Sequence, residues 1–354
     1  MTATGDDGTE RLPSGWSAAR PDARDAPALT DLVRRHEERA RGWAGASEGD
    51  VLAQLSPPGS RARRHLALRD AGGVIRGWAG AHDRAAGRMV LTVVVDPELD
   101  DAVGDRMAAA LLDWSDRTAR SVGSGRGLDV QQVDSGAFAD DERQHRWLER
   151  AGFEKVRTWW QMSRPVTPEE AGRQVEPGEG VRIRPVRRQG AGMPDEDDLR
   201  TVHDILESAF ADHFNSHEET FDEFVSRLGE DPGHRWDHWW VAELVDGPSP
   251  EPAGALVGSV TGGTAGAGQG SYVEYIGVLP GARGRGVART LLATVVADAA
   301  ANGRQRVGLE VDADSPTGAE RLYLSMGWTT SYVTESWHKD VPVVPVAETA
   351  PRCG

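Results

Sequence analysis

The sequence predicts a mixed α/β protein made of two similarly organised halves, and three observations carry that expectation. Strand-length apolar runs of period two alternate with helix-length runs of period 3.6 along the chain. The order of those runs, with its punctuation, occurs twice. Val94-Val95-Asp96-Pro97 returns as Gly277-Val278-Leu279-Pro280, and Arg150-Ala151-Gly152-Phe153 returns as Ser325-Met326-Gly327-Trp328. The offset, roughly 175 to 185 residues, is too long for a solenoid repeat and suits a duplicated domain. Between the copies, Thr167 to Gly180 is rich in Glu, Pro and Gly, the composition of a linker. The expected division is a tail over residues 1–13, a domain over 14–165, a linker over 166–180, a second domain over 181–345 and a tail over 346–354.

In the first half, structure is expected from Trp16 onward. A charged amphipathic helix spans Asp31 to about Arg41, with Leu32, Val33 and His36 on one side. Leu66–Leu68 and Val74–Ala81 read as strands joined by an Asp70-Ala71-Gly72-Gly73 turn. Val90–Val95 is a buried strand that stops at Asp96-Pro97. A helix over Val103–Ala119, a strand near Leu128–Val133 and a helix through Arg146–Arg150 follow. The strand Trp159–Met162 closes the half.

The second half opens with the strand Val181–Val186 and a loop over Gln189–Asp198. Leu199, Val202, His203, Leu206 and Phe210 then fall on one helical face. Thr220 opens the next helix, with Glu223 three residues on as a capping box. Trp239–Leu244 and Ala255–Val260 pair across the turn Asp246–Pro252. The strand Tyr272–Val278 leads into Gly281-Ala282-Arg283-Gly284-Arg285-Gly286. A helix follows with Ala288, Leu291, Leu292, Val295, Val296 and Ala299 on its apolar face and Gly303 at its end. Arg306–Asp312 alternates as a strand. Ser315-Pro316 then starts a helix that carries Leu322-Tyr323 and ends at Met326-Gly327-Trp328.

Composition narrows the function. The formal charge of −16, from 40 basic and 56 acidic residues, argues against nucleic-acid or anionic-membrane partners and leaves room for a cationic one. The lone cysteine, Cys353, excludes a disulfide framework and a cysteine metal site. No leader and no long apolar stretch is evident, so a soluble cytoplasmic protein is expected, as a monomer or homodimer. His213 and His217 lie four residues apart, but no His-Glu-x-x-His accompanies them, and no metal is expected.

The stretch from Tyr272 to Asn302 carries the clearest chemistry. Strand, glycine loop and helix N-terminus make an anion cradle, because unpaired N–H groups point outward and the helix end is partly positive. Arg283 and Arg285 add formal charge suited to phosphate. A P-loop would need Gly-Lys-Ser/Thr, and a dinucleotide fingerprint would need glycine where Arg289 stands. What the residues spell is Arg-x-x-Gly-x-Ala, at Arg283, Gly286 and Ala288. That resembles the acyl-CoA pyrophosphate loop of the GNAT acyltransferases, and Leu322-Tyr323 before Met326-Gly327-Trp328 resembles the family's ending for the next helix.

The resemblance covers residues 181 to 341 or so and implies two tandem GNAT-like domains, each a mostly antiparallel mixed sheet flanked by helices. It implies an acetyl-CoA co-substrate and a small-molecule primary amine as acceptor, with a cysteinyl amine as one alternative. Cofactor contacts then fall to Ile276, Gly277 and Val278 through their backbone, to Arg283, Gly284, Arg285, Gly286, Val287 and Ala288 in the loop, and to Ser315. Tyr323 becomes the acid for the departing thiolate, the alternative being a half-buried core aromatic between Ala319 and Met326. Glu274, expected on one strand face with Tyr272 and Ile276, becomes the base, with Glu310 and Asp212 as other candidates. Asp212, His213, Phe214 and Tyr272 belong to the acceptor side. In the first copy Asp100-Asp101-Ala102-Val103 replaces the basic loop and Leu148 replaces Tyr323, which makes that domain a non-catalytic scaffold. An acyl-CoA-binding regulator without turnover is the reading from another class, and a nicotinamide oxidoreductase is disfavoured by Arg289.

Overall fold

The computed structural model describes residues 12–57, 59–84, 88–172, 177–188, 192–211, 220–229, 234–261, 268–314 and 318–343. The expected site residues Asp212, His213, Phe214 and Ser315 lie outside them, as do most of both tails. The chain forms two compact units, one of Met1–Thr158 with Thr334–Gly354 and one of Trp159–Val333.

The first unit contains β1 (Ser17–Ala19), α1 (Ala26–Arg41), α2 (Glu48–Leu55), β2 (Arg63–Arg69), β3 (Ile75–Asp83), β4 (Arg88–Val95), α3 (Asp101–Arg126), β5 (Val130–Phe138) and α4 (Glu142–Arg150). Strand β6 (Glu154–Pro165) crosses into the second unit, which continues with β7 (Val181–Pro185), α5 (Glu196–Phe210), α6 (Phe221–Gly229), β8 (His234–Leu244), β9 (Glu251–Thr261) and β10 (Gly270–Val278). Next come α7 (Val287–Ala301), β11 (Arg306–Asp312) and α8 (Ala319–Ser325), and β12 (Thr329–Pro342) crosses back. Local chemistry sets many boundaries. Ser47 and Asp50 form a capping box on α2, Thr220 and Glu223 form the expected one on α6, and Gly42, Gly127 and Gly303 end helices at positive φ.

Each unit is built on the same plan. In the first, β1 to β4 pair antiparallel in sequence order, β4 and β5 pair parallel, and Thr334–Pro342 of β12 pairs antiparallel with β5. Leu111 and Met107 of α3 cover one face, and Leu29 and Leu32 of α1 cover the other. In the second, β7 to β10 pair antiparallel, β10 and β11 pair parallel, and Trp159–Pro165 of β6 pairs antiparallel with β11. Leu291, Leu292 and Val295 of α7 fill one face, and Leu199, Val202 and Leu206 of α5 fill the other. The sequence reading ended the first domain at 165 and the second at 345. The structure instead gives residues 159–165 to the second unit and 334–343 to the first, because a strand's alternation marks its faces and not the sheet it joins.

Candidate active site

Strand β10 does two different things along its length. It pairs with β11 only from Gly270↔Arg306 to Val273↔Leu309, while its pairing with β9 continues to Val278↔Gly254. Beyond Val273 the parallel neighbour has parted from it, and among the described residues no strand pairs with that edge of β10. The Leu279 N–H donates to Ala253 O at 2.9 Å, so by antiparallel alternation Gly277 and Tyr275 spend their backbone groups on β9. Ile276 and Val278 turn theirs into the gap. Gly277, expected to offer its backbone there too, has another use. A Cβ on it would lie 2.9 Å from the Ala209 Cβ, so its bareness admits α5.

The register slips between Val273 and Tyr275, and this bulge changes which side chains share a face. Val273 and Ile276 both pack into the α7-side core, whereas Tyr275 packs into the α5-side core. The expected alignment of Ile276 with Tyr272 and Glu274 is therefore corrected. Tyr272 and Glu274 stay together, as the Ser259 hydroxyl, opposite Tyr272 on β9, donates to Glu274 Oε1 at 2.5 Å.

After a 3₁₀ turn over Pro280–Ala282, the loop takes two left-handed glycines, Gly284 and Gly286, each at φ 78°. Added Cβ atoms would touch nothing, so it is the backbone angle, not space, that requires glycine there. Helix α7 begins at Val287 with no side chain capping it. The N–H groups of Val287, Ala288 and Arg289 thus remain at a partly positive helix end, the arrangement that holds phosphate. Val287 itself is buried and contributes only its backbone. Arg283 is exposed, with no ion pair among the described residues. Arg285 is engaged elsewhere, donating to Asp246 Oδ2 at 2.7 Å and to the Glu179 carbonyl at 3.1 Å.

Tyr323 lies on the α7 side, 7% exposed, with its ring 6.3 Å from Trp328. Burial pushes its phenol up to about 12. On the other face, Tyr272 is raised far above the ordinary phenol value by burial, with Glu310 and Glu274 adding to the effect. Glu310 is the first residue of β11 past its pairing with β10, at the mouth of the gap. It keeps a solvent-exposed side, yet desolvation around its carboxyl still raises its pKa, and the amide of Gln161 on β6, which donates to it, offsets this in part. Sequence reasoning missed Gln161, Ser259 and Asp246. None stands in a motif, and only the fold brings them here.

The first unit carries the same frame with its openings filled. Strand β4 pairs with β5 only from Arg88 to Leu91 and then parts from it. The Gln144 amide of α4 donates to Val93 O at 3.4 Å and to Gly136 O at 3.1 Å, bridging the parted strands. Counting back four residues from Leu148 and Tyr323, the second unit has only Ala319 at that place. The N-terminus of α3 is capped by Asp100, whose Oδ1 accepts from Val103 N at 2.9 Å. A carboxylate of the chain itself sits where an anion would dock.

Residues 199–328 match the Acetyltransferase (GNAT) family. The chain is 28% identical over 318 residues to a mycothiol acetyltransferase of Saccharopolyspora erythraea, covering 82% of this chain and 93% of that protein. Its fold resembles a GCN5-related N-acetyltransferase from Sphaerobacter thermophilus (TM-score 0.72, 24% identity, 95% of this chain and 99% of that one). It also resembles a tandem GNAT protein from the clavulanic acid biosynthesis pathway (TM-score 0.66, 15% identity, 92% and 98%). Residues 199–328 thus carry a GNAT acetyltransferase domain, in a chain whose fold resembles that of a tandem GNAT protein, and the GNAT family uses acyl-CoA.

Proposed function

We propose that this tandem GNAT N-acetyltransferase moves an acetyl group from acetyl-CoA to the primary amine of a small molecule, and that the second unit alone does the chemistry. The observation that carries this reading is the contrast between the two units. Among the described residues no side chain caps the α7 N-terminus and none bridges the β10–β11 gap as Gln144 bridges β4 and β5, whereas Asp100 and Gln144 fill both places in the first unit. The donor set fits acetyl-CoA: uncapped N–H groups and Arg283 for the diphosphate, and the open edge at Ile276 and Val278 for the pantetheine amides.

When bound, acetyl-CoA supplies an activated acetyl thioester. Glu274, with Glu310 across the gap, draws the incoming ammonium and takes its proton, so that the neutral amine can attack the thioester carbon. As the C–N bond forms and the C–S bond breaks, Tyr323 donates a hydrogen bond to the sulfur that is becoming a thiolate, and the second proton shed by the nitrogen ends on that sulfur, so that CoA leaves as the thiol. A phenol raised to about 12 stays protonated at working pH and so remains a donor throughout. Tyr272 belongs to the acceptor side in this reading, and Asp212, His213 and Phe214 complete it. A cysteinyl amine is the second acceptor reading, supported by the mycothiol acetyltransferase relative. The test is amine-dependent release of CoA thiol from acetyl-CoA across a panel of small amines that includes a cysteinyl one. Protein that binds acetyl-CoA yet releases no thiol with any amine refutes the function.

A further inference from the structure

The two loop arginines, alike in sequence, occupy different positions in the structure. Arg283 is exposed and without an ion pair among the described residues. Arg285 is 29% exposed and reaches back to two places at once, Asp246 in the turn between β8 and β9 and the carbonyl of Glu179 just before β7. Those two places are joined to each other, since Val245 N donates to Gly180 O at 2.8 Å. Two glycines fit the loop against them. A Cβ on Gly178 would stand 2.2 Å from the Arg285 carbonyl oxygen, and one on Gly180, at φ 70°, 2.6 Å from the Arg285 guanidinium. The pair with Arg285 also holds the Asp246 carboxyl below its ordinary pKa.

We infer that Arg285 is a positioning residue and not a diphosphate ligand: through Asp246 and Glu179 it fixes the left-handed turn at Gly284–Gly286 that presents the α7 N–H groups. Asp246, which lies outside the cradle, thereby becomes a determinant of acyl-CoA affinity. The physical reason is preorganisation. Both glycines of the turn are conformationally permissive, and an unbraced loop must be ordered at the moment of binding. A guanidinium already shared between a carboxylate and a carbonyl also has less to offer a phosphate than a free one. This inference rests on the acetyl-CoA reading of the site.

The experiment measures KM and kcat, with acetyl-CoA as the varied substrate, and acetyl-CoA Kd by calorimetry in the full chain. Asp246→Ala is expected to raise KM about fivefold with kcat unchanged, and Arg285→Ala to raise KM by a similar factor. The double variant is expected to be no worse than Arg285→Ala alone, because removing Arg285 already breaks the contact with Asp246. The exchange of Asp246→Arg with Arg285→Asp should recover part of the loss. Gly178→Ala removes no charge, yet should raise KM by displacing the loop, and thermal melts identify any variant that has merely unfolded. If Asp246→Ala leaves affinity unchanged or tighter while Arg285→Ala weakens it, Arg285 contacts the diphosphate directly and the inference is overturned. If Arg285→Ala has no effect, the brace is irrelevant. Wild-type protein that binds no acetyl-CoA overturns the functional reading as well, which separates the two failures.

Discussion

Replacing Tyr323 with Phe removes one oxygen atom from a residue that is 7% exposed, and no described residue hydrogen-bonds to that oxygen. The ring remains against Trp328 and the α7 core, so the fold should lose little. The reaction loses the donor to the leaving sulfur. General acid groups contribute about 10²- to 10⁴-fold. A phenol raised to about 12 is a weak acid, so the lower end applies: kcat should fall about 10²-fold, or about 2.7 kcal/mol of barrier at 1.36 kcal/mol per decade. The KM for acetyl-CoA should hardly change, since an interaction made mainly in the transition state leaves ground-state binding alone. Because the phenol titrates near 12, the wild-type rate should show no alkaline fall from this group below about pH 10. Steady-state thiol release with a saturating amine measures all of this, and Tyr323→Leu, which copies the first unit's Leu148, should match the Phe variant in rate at some further cost in stability. A Phe variant with wild-type kcat would show that Tyr323 is only packed.

The other predictions are independent of that one. Arg283→Ala should weaken acetyl-CoA binding about tenfold to 100-fold, the loss of one charge-assisted contact of about 1.5–3 kcal/mol, as read by calorimetry. The same titration on wild-type protein should give one acetyl-CoA per chain, and a stoichiometry near two would mean that Asp100 and Gln144 do not close the first unit. Burial lowers His65 and His234 to about 4, below the unfolded value of about 6.5. Unfolded chains therefore bind protons that the native state refuses, and the melting temperature should drop as pH falls from 6.5 toward 4; His65→Gln with His234→Gln should flatten that part of the curve. A fragment of residues 159–333 should unfold cooperatively in urea, whereas one of residues 181–345, which lacks Met162 (2% exposed) and a seven-residue paired strand, should not; equal stability of the two would refute the observed division.

The cradle was legible in the sequence because its chemistry is local. Gly284 and Gly286 were placed by a motif, and both take the left-handed angle the motif needs. The capping box at Thr220 and Glu223 and the glycine helix end at Gly303 were legible for the same reason, as each depends on neighbours within a few positions. The bulge at Val273–Tyr275 was not. A one-residue slip leaves no mark in an apolar run, yet it moved Ile276 to the opposite face from Glu274. The division of labour between Arg283 and Arg285 was equally hidden, because it depends on Asp246, 39 positions from Arg285. Gln144 stands in no motif, and only the parted β4 and β5 make it a bridge.

The exchanged strands also bear on why a half with closed openings accompanies an open one. The strand carrying Gln161 and Met162 follows α4 in sequence, so it is encoded as the end of the first half, yet it pairs with β11 over seven residues from Trp159↔Asp312 to Pro165↔Arg306. Gln161 reaches Glu310 and Tyr272 from that strand, and Met162 enters the core beneath α7. The reverse holds for Trp337 and Val341, which follow α8 in sequence and fill the core beneath α3. Deleting the first half up to its linker would therefore take a strand from the second unit's sheet and a hydrogen-bond donor from Glu310. On the proposed reading, selection on the second unit's chemistry would then reach into the first half's sequence with no ligand required there. Such an arrangement requires no basic loop and no tyrosine at the position of Leu148, whereas it does require the closing strand. A first half that keeps its strands and core but fills its openings with Asp100 and Gln144 is the outcome that this division of constraint favours.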